Sequence, residues 1–113
     1  MERISEHDYQ ARAFPELSAL LAAFDAYPDE LFAELGADVL TIEFDDQARY
    51  VVNSHLAARQ IWLAAERNAW HFDYDAARGA WLDTKGQLEL WALLEQVLSR
   101  KLGRPVTLPR PQR

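Results

Sequence analysis

The first part of this chain is dense in carboxylates. Residues 1–46 carry twelve Asp/Glu and two Lys/Arg, a net of −10, while residues 47–113 carry six and ten, a net of +4. Carboxylates are hard oxygen donors that suit hard cations, and an adjacent imidazole, as in His7 beside Asp8, adds affinity for iron and its neighbours. A tight metal site needs several convergent ligands with support behind them. No spacing here provides one: there is neither a Glu-x-x-His pair of the di-iron bundle type nor a His-Glu-x-x-His helix. The chemistry that remains is open, water-rich and weak. Clustered carboxylates repel one another, and a cation or a basic protein surface relieves that repulsion. Nucleic acid is not an expected partner, because phosphate binding needs a positive patch and the basic residues here are scattered.

Catalytic constellations are missing. The chain has no cysteine, which excludes disulfides, thiolate metal sites and a cysteine nucleophile. It has no serine in an elbow motif and no Gly-rich phosphate loop. His71 and Asp73 share a strand face and could be read as an acid–base pair, but no nucleophile or pocket accompanies them. No catalytic residue is assigned. Half of the 113 residues are hydrophobic, which argues for one globular domain spanning 1–113 rather than disorder. No apolar run approaches the roughly 20 residues needed to cross a bilayer, and the N-terminus lacks the pattern of a secretion signal. The expected setting is soluble and intracellular.

The elements that must position these residues follow from periodicity. Ser5 and Asp8 suggest an N-terminal cap, and Phe14, Leu17, Leu21 and Phe24 recur at helical spacing, with Leu20 widening the stripe. Pro15 either kinks this helix or divides it. From Leu31 the period becomes two. Leu40, Ile42 and Phe44 then face inward, as do Tyr50 and Val52, Ile61 and Leu63, and Trp70, Phe72 and Tyr74. Asn53, His55, Gln60, Trp62, His71 and Asp73 face the other way. "AWLD" (80–83) adds a strand. A second helix is expected from about Gln87 to Lys101, ended by Gly103. Val106 and Leu108 alternate and pack down, with residues 109–113 fraying. The fold class is α+β: a two-layer sandwich with both helices on one face of a five- to six-stranded antiparallel sheet. Trp62, among polar neighbours on the uncovered face, reads as an anchor for protein contact.

These residues resemble the frataxin family in its short bacterial, CyaY-type form. The resemblance runs from about Ser5 to Leu108. Its most specific part is V-L-T-I at Val39 to Ile42, V-V-N at Val51 to Asn53 and Q-I-W-L at Gln60 to Leu63. Phe72-Asp73, Trp81 and "LLEQ" at Leu93 to Gln96 also fit. The resemblance implies an accessory or regulator of iron–sulfur cluster assembly in the bacterial cytoplasm, not an independent enzyme. It implies weak binding of ferrous or ferric iron at surface carboxylates, and docking on the cysteine desulfurase and the scaffold protein. It implies a monomer, with oligomers in the presence of iron as a variant.

Carried onto this chain, the iron-binding ridge consists of Glu16, Asp25, Asp29, Glu30, Glu34 and Asp38, with Glu6, His7 and Asp8 near the helix start. Asn53, Gln60 and Trp62 occupy the family's partner-binding motif, and His55 and His71 share their face. Ser54 and His55 stand where the family usually has a basic residue and Gln. Asn68-Ala69 replaces a Gly-rich turn, and the ridge is thinner than usual. Two rival readings accompany this one: a metal-independent module on the same machinery, and iron storage or ferroxidase activity.

Overall fold

The computed structural model describes residues 4–111. Helix α1 (Glu6–Phe24) leads into six strands: β1 (Leu31–Gly36), β2 (Val39–Phe44), β3 (Arg49–His55), β4 (Gln60–Ala65), β5 (Asn68–Asp75) and β6 (Ala80–Asp83). Helix α2 (Leu90–Leu102) closes the order. The strands pair antiparallel in sequence order as one open sheet, β1-β2-β3-β4-β5-β6. Both helices pack on one face, as period-two burial on half-covered strands requires.

The expected inward residues of β2 to β4 are all buried: Leu40, Ile42, Phe44, Tyr50, Val52, Ile61 and Leu63. Phe72 is buried too, whereas Trp70 and Tyr74 on the same face of β5 are only partly covered. Arg12 lies over the Tyr74 ring, 4.7 Å from its centroid, and supplies part of that cover.

Helix α1 differs from its expected stripe. Its buried positions are Tyr9, Ala13, Glu16, Leu17, Leu20, Ala23 and Phe24, while Phe14 is 54% exposed. The true stripe follows Tyr9, Ala13, Leu17, Leu20 and Phe24, at spacings of four, four, three and four. The helix runs unbroken through Pro15. Pro15 and Ala11, whose carbonyl the ring leaves without a donor, both carry exposed side chains, so water can reach that acceptor. Ser5 caps the helix as expected, its hydroxyl accepting from Asp8 N.

Helix α2 starts later than expected. Glu89 is its N-cap, accepting from Trp91 N and Ala92 N, and Gly103 closes it with φ 70°. Val106 and Leu108 are buried, and Leu108 N donates to Glu95 Oε2 at 2.8 Å. Of the residues expected to fray, Arg110 is held: its Nη1 meets Glu89 Oε1 at 2.6 Å, and its guanidinium faces the Trp91 ring. Residues 112 and 113 lie outside the described residues.

Candidate functional site

Alternation along β3, β4 and β5 sends Asn53, His55, Gln60, Trp62, His71 and Asp73 to the face that carries no helix. Register then decides which of them meet. Trp62 lies opposite Asn53 on one side and His71 on the other, while His55 pairs with Gln60. The Trp62 indole is therefore flanked by imidazoles from both neighbouring strands. His55 stacks at 3.9 Å between centroids with 15° between planes, and His71 at 4.3 Å with 14°. Because the rings arrive from opposite sides of β4, they cover opposite faces of the indole.

Polar bonds hold this stack in place. Trp62 Nε1 donates to Gln60 Oε1 at 2.8 Å, and Gln60 Nε2 donates to Asp73 Oδ1 at 3.0 Å. Ala58 N donates to His55 Nδ1 at 3.3 Å, which makes that nitrogen the acceptor in the neutral ring. Beneath the hairpin, Tyr9 of α1 donates to Gln60 O at 2.8 Å and accepts from His55 N at 2.9 Å. Burial pushes the Tyr9 phenol above its ordinary pKa, partly offset by its bonds to Ser54 and His55. Arg59, in the β3–β4 turn with φ 55°, donates to Ile4 O at 3.0 Å. These bonds place the start of α1, with exposed Glu6, His7 and Asp8, at the same end of the sheet as the stack.

The remaining acids spread along α1 and β1 rather than converging. Asp25 is the exposed C-cap of α1, and Asp29 and Glu30 lie in the following turn. Glu30 is ion-paired with Arg104. Glu34 is exposed on β1, facing away from the helices, and Asp38 in the β1–β2 turn accepts from Ser54 Oγ at 2.8 Å. Glu16 does not belong to this surface. It is 4% exposed and accepts from buried Trp91 Nε1 of α2, because position 16 falls on the inward side of α1. Among the described residues, no three of His, Asp and Glu come together in a group able to hold a metal ion. The donors suit iron by type, but they are not assembled into an enclosed site.

Phe32 was not anticipated. It is 61% exposed on the helix-free face, opposite Glu43 in register and beside Glu34, Thr41 and Arg49 around a shallow cavity of about 170 Å³. The sequence did carry the signal: Leu31, Ala33 and Leu35 alternate inward, which sends Phe32 and Glu34 out.

Comparison with known proteins agrees with this architecture. Residues 2–104 match the frataxin-like domain. The chain is 37% identical over 108 residues to the iron–sulfur cluster assembly protein CyaY of Thioalkalivibrio sulfidiphilus, covering 96% of this chain and 100% of that one. It is 33% identical over 112 residues to the CyaY protein of Cupriavidus metallidurans, covering 96% and 99%. A frataxin structure from Psychromonas ingrahamii superposes with a TM-score of 0.82 at 19% identity, over 92% of this chain and 97% of that one. Trimeric yeast frataxin complexed with ferrous iron superposes with a TM-score of 0.60 at 24% identity, over 92% of both chains. No helix among the described residues is long and apolar enough to cross a membrane.

Proposed function

The chain belongs to the frataxin-like family, and from that premise we propose that it is an accessory of iron–sulfur cluster assembly that docks on the cysteine desulfurase and scaffold. It acts as a regulator in the bacterial cytoplasm, with no turnover of its own. The observation that carries this reading is a juxtaposition. Tyr9 and Arg59 fasten the acid-bearing start of α1 to the hairpin that presents Trp62, so a steering charge and an aromatic patch reach one partner together. Iron in either oxidation state is held weakly at Asp25, Asp29, Glu30, Glu34, Asp38 and the His7–Asp8 pair.

A metal-independent dock is favoured by a specific observation: the acids do not converge, and Glu30 already has Arg104 as its cation. Replacing Asp29, Glu30 and Glu34 together by Ser separates the two readings. Anaerobic titration with Fe²⁺ and binding to the cognate desulfurase are both measured on the triple variant. Iron binding lost with partner affinity kept supports the iron site. Partner affinity lost with iron binding kept supports the electrostatic dock. If neither changes, the ridge is not the working surface.

A further inference from the structure

Trp62 has no free face to offer. His55 and His71 cover both sides of its indole, at 3.9 and 4.3 Å between centroids, so a partner meets the ring edge and the outer faces of two imidazoles. Histidine is the side chain whose charge changes in the physiological pH range. This docking patch therefore carries two groups able to take up a proton, which an exposed tryptophan alone does not.

Two opposing consequences follow when the imidazoles gain a proton. Each imidazolium lies over an indole face, where cation–π attraction favours it. At His55 the same proton occupies Nδ1, which can then no longer accept from Ala58 N, and the β3–β4 turn loses that bond. The charged and titratable groups on the surrounding elements are mostly acidic. On β5 stands Asp73, joined to the stack through Gln60, and in the β1–β2 turn stands Asp38 on Ser54. At the start of α1 stand Glu6, His7 and Asp8, with the Tyr9 phenol on the His55 backbone. The β3–β4 turn contributes Arg59, engaged with Ile4 O. The turn after β6, which donates Thr84 N to His71 O, contributes Lys85. With neutral imidazoles the patch sits in a predominantly acidic surround. Protonation places two positive charges in the middle of it.

We propose that the His55–Trp62–His71 stack is a proton-controlled docking patch, fitting a basic partner surface when its imidazoles are neutral and repelling that surface when they are charged. This rests on the reading that the helix-free face docks on a partner, and it adds the residues that set the pH response of that docking. The acid-rich first part of the chain, net −10 over residues 1–46, selects a basic partner by charge complementarity.

Two measurements test it. Tryptophan emission of the chain alone is followed across about pH 5 to 8, the window in which histidine titrates. The expected result is a sigmoidal change that disappears in Trp62→Phe and in the His55→Gln/His71→Gln double variant, and shrinks in each single variant. Affinity for the cognate desulfurase is then measured at both ends of that window at constant ionic strength. Wild type is expected to lose about tenfold or more on acidification, as like charges meet, and the double variant to lose little. An emission curve that is flat, or unaltered by the double substitution, overturns the stack as the sensor. Affinity that ignores pH, or rises on acidification, in a chain whose stack does titrate overturns the basic-partner assignment. Absence of binding at every pH sinks the docking reading and this proposal with it, and a titrating emission curve would show that the stack itself was not the fault.

Discussion

Trp91 and Trp62 lie on opposite sides of the same sheet, and each donates its indole N–H to a side-chain oxygen. Trp91, on α2, is 2% exposed and gives its proton to Glu16, itself 4% exposed. Trp62, on β4, is partly exposed and gives its proton to Gln60, between two imidazoles. The first pair is sealed between the helices, where a lost partner leaves a desolvated group behind. The second faces solvent, where a lost partner is replaced by water. A buried donor–acceptor pair serves stability, and an exposed one leaves its residues available for recognition.

The largest effect should come from emptying the covered side. Trp91→Ala should cost about 3 to 5 kcal/mol in urea unfolding, through cavity formation and loss of ring contacts. A loss below about 1 kcal/mol would erase the distinction between the two faces, because surface substitutions give values of that size. Next comes Glu16→Leu, which leaves the Trp91 N–H buried without its acceptor and should cost about 1 to 3 kcal/mol. Anaerobic iron binding should be unchanged in that variant, since Glu16 lies inside. A fall in iron affinity with the fold intact would return Glu16 to the ridge.

Asp83 sharpens the comparison by pH. It is 3% exposed at the end of β6 and accepts from Lys85 N at 3.0 Å and Gly86 N at 2.8 Å. Burial pushes its carboxyl up, and the backbone donors outweigh that, so it lies below the ordinary carboxylate range. A depressed folded pKa means that the stabilisation is complete above the unfolded value of about 3.9 and is lost as pH falls through the folded value. Asp83→Asn should therefore destabilise at neutral pH by about 1 to 2 kcal/mol and flatten the acid limb of the urea midpoint below about pH 4. An acid limb identical to wild type would assign the loss to other carboxylates. The smallest stability effect belongs to the open face. Trp62→Ala should cost only about 1 kcal/mol, the scale of its ring contacts.

Period-two alternation made the sheet legible, most cleanly over residues 40–44 and 70–74, where apolar and polar side chains alternate one for one. Ser5 and Gly103 were legible for a local reason, since caps are set by neighbouring backbone. The face of α1 was misjudged because Phe14 dominates any apolar count, whereas Ala13 is small and Tyr9 has a polar end. Packing on the sheet chose the latter two. Glu16 looks like any surface acid in sequence, since its partner is 75 residues away. For the open face, alternation identified the members but not their contacts. The stack depends on register across β3, β4 and β5, which places His55 and His71 on either side of Trp62. Arg110 reads as part of a frayed tail in sequence because its carboxylate partners, Glu89 at the N-cap of α2 and Glu95 within it, lie out of local reach.

The central claim is that the helix-free face around Trp62 is the working surface of this chain. Binding to the cognate cysteine desulfurase, measured anaerobically at low and high salt for wild type and Trp62→Ala, tests it most directly. The account predicts wild-type binding that weakens with salt and falls by at least about tenfold in the variant, the loss typical of an interface anchor, while the melting temperature moves little. Equal affinity of the two proteins, or no binding by either, would contradict it.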